Sequence, residues 1–387
     1  MQNIDRKIRV AVTHGDINGV AYELMLRTFV EAEILELMTP IIYGSRPAME
    51  YHARNLQIRV PFYYINNASE VKDDVVNFVS VVNDNCKVDI GHVTEDAARL
   101  AKKSIECALY DYNCGLVDVI MMAPSGCDDV IQVVEYLQSV VSASRQDGTG
   151  IEDTEEIEQS ITPLRIMKND YLSVASVLGD VVRDVADKAL TDVNIVKSAR
   201  LFFQSMKREQ RVDNPRIAVL ALNEAISGDE SSAEFRAIAP AISQLVNSGM
   251  QAFGPYLAKD FFEKGEYVHF DGVLAMTLGQ ALLPFNCIFD APESMYVAGL
   301  PMILAMPMYE PCYDVAGQGI MDEAAFRRTL YLAVDTFRNR CCYDFPLRNP
   351  LQKMYHEKKE DGEKVRFAVK KKFDSEKKKS EDETKLE

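Results

Sequence analysis

The sequence predicts an α/β fold built on a parallel or mixed sheet. Three observations carry this. Short apolar runs alternate with helical patterns along most of the chain. The runs are apolar throughout rather than at every second residue, as in strands covered on both faces. Gly and Pro punctuate the ends of the runs, where strand-to-helix turns belong.

The pattern begins at residues 8–12 (IRVAV), followed by Gly15-Asp16-Ile17-Asn18-Gly19 and a helical stretch from Ala21 to about Leu37. Pro40–Tyr43 is a second strand, closed by Gly44-Ser45 and followed by a helix. Arg59–Ile65 is a third. Residues 94–113 read as a helix that Thr94 caps, with Glu95 and Asp96 favourable in its first turn. Val117–Met122 is a strand ending at Ala123-Pro124-Ser125-Gly126, and Asp128–Val141 is helical. Residues 143–160 form an acidic polar insert. A second α/β run follows: strand 163–167, helix over most of 180–208, strand 216–222, helix 233–249, a turn at Gly254-Pro255, strand 272–276 and helix 322–338. Residues 1–355 read as one two-domain unit, with internal boundaries near 125 and 290. Residues 356–387 are a charged tail with too few apolar residues to build a core.

Composition narrows the function classes. With 387 residues, 47% hydrophobic and 26% charged, the chain has the make-up of a globular protein with a large core. The net charge of −16 argues against nonspecific nucleic-acid binding. No apolar run reaches the roughly 18 residues of a membrane span, and the start Met1–Val10, polar before it enters an apolar strand, does not read as a signal peptide. The expected location is the cytoplasm, with the eight cysteines reduced. The five histidines, His14, His52, His92, His269 and His356, show no metal-ligand spacing.

Basic residues make up about one position in eight, yet none occurs between His269 and Arg327. Glycines and prolines break this stretch into short apolar runs, which read as buried strands joined by loops at a cleft. Such loops usually carry an enzyme's charged groups. Here they carry Leu, Met, Pro and Tyr, with Asp290, Glu293, Glu310 and Asp314 among the acids. Three strand ends stand out elsewhere. Gly15–Gly19 fits either a tight turn or an anion site at a helix N-terminus. Cys127 follows a strand end but has no histidine nearby in sequence to activate it. Asn223, after Arg216–Leu222, suits a ligand contact or a turn equally.

Taken in order, these segments resemble one family, the 4-hydroxythreonine-4-phosphate dehydrogenases (PdxA) of vitamin B6 biosynthesis. The resemblance runs over about residues 7–355. It rests on THGDINGV (13–20), TPIIYGS (39–45), VDVIMMAP (117–124), RIAVLALN (216–223), FGPY (253–256), HFDGVLAM (269–276), AGLP (298–301), DVAGQGI (314–320) and FRNR (337–340), with NPLQKMY near the tail. It implies a two-domain α/β fold similar to isocitrate and isopropylmalate dehydrogenases, a homodimer, and a site in the interdomain cleft completed by the partner subunit. It also implies NAD(P)-dependent oxidation of the substrate's hydroxyl followed by decarboxylation. In the family, three histidines hold a divalent metal, and Lys, Arg and Asn bind the substrate's phosphate and carboxylate.

Carried over residue by residue, that equipment is missing. The family's LNPHAG reads LNEAIS, so a metal histidine falls on Ala225. Its MYHDQG reads MTLGQA, placing a second on Leu278 and the adjacent Asp on Gly279. The third should follow LRVALVT, but no histidine occurs between His92 and His269. The substrate-binding Lys, Asn and Arg fall on Asn286, Met295 and Leu304, and the Lys of APINK falls on Cys127. The family's DHGTA loop reads YEPCYD. Ala and Leu cannot ligate a metal, and Met and Leu cannot hold a phosphate.

The expectation is therefore a family member that keeps the fold but lacks its metal-dependent chemistry, acting as a binding, structural or regulatory protein. It would pair with itself or with an active paralogue. It would hold no divalent metal, and NAD would be at most a residual ligand through the surviving AGLP and DVAGQG loops. The alternative is an enzyme with altered chemistry in the same cleft, drawing on Asp16, Asn18, Asn223, Gln280, Tyr309, Glu310 and Tyr313. Retained family activity, with His14 and His269 as spare ligands, is the third reading.

Overall fold

The computed structural model describes residues 6–81, 86–126, 129–146, 163–179, 188–223, 232–288, 294–308 and 310–347. The chain divides into a unit Met1–Tyr343 and a unit Asp344–Glu387, of which residues 344–347 are described, as helix. The described strands all lie in the first unit. They are β1 (Ile8–Thr13), β2 (Met38–Gly44), β3 (Phe62–Ile65), β4 (Val76–Ser80), β5 (Val119–Met122), β6 (Leu164–Lys168), β7 (Ser173–Ser176), β8 (Arg216–Leu220), β9 (Gln251–Tyr256), β10 (Gly272–Ala275), β11 (Ser294–Ala298) and β12 (Ile303–Pro307).

They form one sheet in the order β3-β4-β2-β1-β5-β12-β11-β6-β7-β10-β8-β9. The first six are parallel to their neighbours, as are the last four. β12, β11, β6 and β7 pair antiparallel in sequence across the middle. The sheet is thus mixed, and two parallel blocks meet through antiparallel β11 and β6. β2 and β5 are buried along their whole length, as central strands covered on both faces must be.

The helices are α1 (Ala21–Phe29), α2 (Ile34–Leu37), α3 (Arg46–Leu56), α4 (Glu95–Asn113), α5 (Asp129–Gln146), α6 (Asp192–Glu209), α7 (Ala239–Asn247), α8 (Ala258–Glu263), α9 (Leu278–Ile288) and α10 (Ala324–Leu347). Thr94 caps α4 as its position predicts, its hydroxyl accepting from the Ala97 N–H at 3.3 Å. Thr191 does the same for α6, accepting from Asn194 N–H at 3.2 Å, so that helix begins at Asp192.

Three readings change. Gly254-Pro255 is not a turn but part of β9. β9 is an edge strand, where a residue without an N–H is tolerated, and Gly254 has φ +135° with Val219 O 2.4 Å from where a Cβ would stand. Residues 278–288, expected among strands, are helix α9 with Pro284 inside it. The acidic insert begins later than 143, because α5 runs to Gln146; residues 147–160 and the tail 356–387 lie outside the described residues.

Candidate functional site: a methionine-floored cleft

Register decides what the middle of the sheet offers. Met295 on β11 stands opposite Met306 on β12 and Met167 on β6. Directly paired residues of antiparallel strands point to the same face, so three thioethers form a row across it. Met167 is fully buried, Met295 is nearly so, and Met306 and Met308 are half-exposed. Met295 and Met306 of this row, with Met308, floor a cavity of about 1290 Å³, and Met167 is buried outside its lining. One wall is α9, which presents Leu278, Leu282 and Asn286 at four-residue spacing. Val130, Val134 and Gln138 of α5 line it at the same spacing. Both walls pass from apolar residues to an amide. The end of β5, Ala123-Pro124-Ser125-Gly126, and the loop bearing Glu310, Pro311 and Tyr313 complete the lining.

Two charged groups in this lining escaped the sequence reading. Arg165 on β6 is the basic residue among the described lining residues, and Glu135 on α5 joins Glu310 as an acid. Arg165 shares a face with Met167 two residues on, and Gly179 lies against it: a Cβ there would be 3.2 Å from the guanidinium. An arginine alternating with apolar residues in LRIMK was the signal available. It lies far upstream of the cation-free stretch that drew attention.

The expected site residues separate. Leu278, Asn286, Met295, Glu310 and Tyr313 line the cleft. Leu304 does not: it is fully buried in β12 between Val297 and Ile120. Gly279 follows Leu278 on α9, where a Cβ would meet nothing within 4 Å. Gln280 works as a strap, donating to Ala221 O at 2.9 Å and accepting from Met276 N–H at 3.1 Å. It faces a second cavity of about 860 Å³ near α8. Asn223 is held by Glu234, donating through its backbone N–H at 2.9 Å and its side chain at 3.0 and 3.2 Å. These bonds hold the largely buried Glu234 carboxyl below its usual range, against the burial that would raise it. Ala225, Cys127 and Tyr309 lie outside the described residues.

Asp16 and Asn18 belong to a buried weld rather than to the cleft lining. Asn18 donates to His92 O at 3.0 Å and to Thr94 Oγ1 at 2.9 Å, and accepts from Asp89 N–H at 2.8 Å. Tyr313 donates to Asp16 Oδ2 at 2.7 Å. Four amides in and beside the turn are spent: Asp16 N–H on Pro124 O, Asn18 N–H on Asp16 Oδ1, Gly19 N–H on Asp16 O, and Val20 N–H on Pro311 O. None of these four is left to bind an anion, and the bonds support the turn reading of Gly15–Gly19. Gly15 is required there, with φ +63° and Pro124 O 2.2 Å from a would-be Cβ. Gly15→Ala is expected to lower the unfolding free energy by about 2 kcal/mol, measured by urea denaturation. An unchanged midpoint would refute this account of the turn.

A divalent metal does not fit these residues. No group of three or more His, Cys, Asp or Glu is arranged to hold one among the described residues. His14 is fully buried directly after β1, and His269 is exposed as the last residue of a short helical turn at 266–269. No described helix is long and apolar enough to cross a membrane.

A ligand-sized cleft beside strand ends of a mixed sheet defines an α/β protein of the cleft-binding kind. The family model for the pyridoxal phosphate biosynthetic protein PdxA matches residues 36–333. The 4-hydroxythreonine-4-phosphate dehydrogenase of Bacteroides thetaiotaomicron is 35% identical over 371 residues, spanning 94% of this chain and 98% of that protein. The enzyme of the same name from Prosthecochloris aestuarii is 25% identical, spanning 85% and 97%. In fold, the crystal structure of 4-hydroxythreonine-4-phosphate dehydrogenase from Klebsiella pneumoniae superposes with a TM-score of 0.65 at 20% identity, covering 87% of this chain and 99% of that one. The chain belongs to the PdxA family.

Proposed function

We propose that this protein keeps the PdxA fold and cleft but has lost metal-dependent dehydrogenation, and that it acts by binding rather than by turnover. The observation that carries this is the cleft's lining. Leu278 and Met295, set against the family's metal-binding histidine and substrate-binding asparagine, both face the cavity, and thioethers form its floor. A thioether cannot replace the charge-assisted hydrogen bonds that a phosphate dianion needs. Leu278 has no donor for a metal. The reading assigns no divalent metal and no obligatory NAD. It implies a cytoplasmic dimer of two copies, or of one copy with an active paralogue.

The altered-substrate alternative draws on Glu310, since the Tyr313 hydroxyl is already donated to Asp16. Asp16, Asn18, Asn223 and Gln280 are committed to bonds that hold the scaffold. The deciding experiment is an assay of the purified full chain with 4-phosphooxy-L-threonine, NAD and each common divalent metal. Reduced NAD is expected not to accumulate above the no-enzyme rate. Turnover at a rate ordinary for a dehydrogenase would overturn the proposal.

A further inference from the structure

We infer that the cleft takes an amphipathic amine, its apolar body on the methionine floor and its ammonium group drawn to the acidic lining to which Glu135 and Glu310 contribute. The inference rests on the proposed loss of dehydrogenase chemistry and deepens it by naming a ligand class.

The size and lining of the cavity suit an apolar body. At about 1290 Å³ it exceeds what a small metabolite fills. Leu278 and Leu282 on one helix and Val130 and Val134 on the other flank half-exposed Met306 and Met308. Thioethers are polarisable and unbranched, so such a floor adapts to flat or branched apolar groups and favours contact with aromatic rings.

The charges decide the head group. Two carboxylates and one guanidinium are found in the described lining, and Arg165 is already engaged in an interaction of its own. The chain as a whole carries −16, so its field attracts cations and repels anions. Glu135 and Glu310 are both exposed, on α5 and on the loop after β12, so an ammonium could reach them without being buried. An anionic head group would meet an acidic rim and a cation with a partner in place.

The test is titration calorimetry of the full chain at pH 7 and low salt with three ligands sharing one body: 3-phenylpropylamine, 3-phenylpropanol and 3-phenylpropanoate. The amine is expected to bind about fivefold more tightly than the alcohol, the range for a solvent-accessible ion pair, and the carboxylate least tightly. In the Glu135→Gln, Glu310→Gln double variant the amine should weaken to the level of the alcohol, whose own affinity stays the same. Met306→Ala should weaken all three and so locate them on the floor. Equal binding of amine and alcohol by the unaltered chain, tightest binding of the carboxylate, or no binding of any would each overturn the inference. Turnover of 4-phosphooxy-L-threonine would defeat the underlying function proposal whatever the amines do. An inactive chain without amine preference would remove this inference alone.

Discussion

Arg340→Met is expected to lower the unfolding free energy by about 3–5 kcal/mol, the range for stranding one partner of a buried ion pair. Arg340 on α10 bonds the Glu209 carboxylate at the end of α6, with side-chain exposures of 9% and 3%. The second guanidinium nitrogen donates to Pro301 O at 3.1 Å, in the β11–β12 connection. Ser205 also bonds Glu209 and sits 2.9 Å from the Tyr296 hydroxyl on β11, which accepts from Gln210 at 2.8 Å. Asn339 donates to Glu209 O at 2.8 Å. Two helices are thus fastened to the strands that floor the cleft through one buried polar network. Burial, with Glu209 nearby, pushes the Tyr296 phenol well above its ordinary range, so it remains neutral. Removing the guanidinium leaves a carboxylate without its counter-charge where water cannot reach it. The double variant Arg340→Met, Glu209→Met removes both charges and should recover most of the loss. Urea denaturation of the three proteins decides the matter. A double variant no more stable than the single would show that the cost came from packing instead.

That network also shows what sequence reading could and could not reach. FRNR at 337–340 contributes to the family resemblance, but its partner Glu209 lies 131 positions earlier and nothing local points to it. The parallel blocks were legible because their strands are continuous apolar runs such as IRVAV and RIAVL. β7 and β9 were not, since SVAS is short and QAFGPY contains the residues that usually mark a turn. Helix α9 was hidden by Pro284 and by apolar residues around most of its circumference, which leave a weak helical period. Asn18 and Gln280 looked like ligand groups because a polar residue at a strand end reads the same whether it holds a ligand or a loop. Their partners at 92–94 and 221–222 are more than 50 positions away. The row of Met167, Met295 and Met306 depends on the register of three strands, which the sequence does not encode locally.

Acidification from pH 7 to 4 is expected to cost about 3 kcal/mol of stability through His14 alone, following from the size of its shift. His14 is fully buried and stacks on Tyr22 at 5.7 Å, and Tyr22 also stacks on His52 at 5.4 Å. Each imidazole lies near a carbonyl, His14 Nε2 at 3.1 Å from Leu100 O and His52 Nε2 at 2.8 Å from Ile17 O, so each donates from Nε2. Burial lowers the His14 pKa from 6.5 to about 4, and burial lowers that of His52 in the same direction. The unfolded chain therefore binds protons first. Stability is full above pH 6.5, falls as pH drops toward 4, and levels off below that for this group. His52 steepens the fall, and charging both rings around one tyrosine adds repulsion. His14→Phe keeps an aromatic ring against Tyr22 while removing the titration. It is expected to be less stable than the parent at pH 7, because Leu100 O loses its donor, yet to lose about 2 kcal/mol less than the parent between pH 7 and 5. That interval lies above the ordinary range for carboxylates, so acid titration of Asp and Glu contributes little to it. Denaturant titrations of both proteins at the two pH values supply the comparison. Parallel losses would exclude His14 as the source of the acid sensitivity and shift the weight to His52.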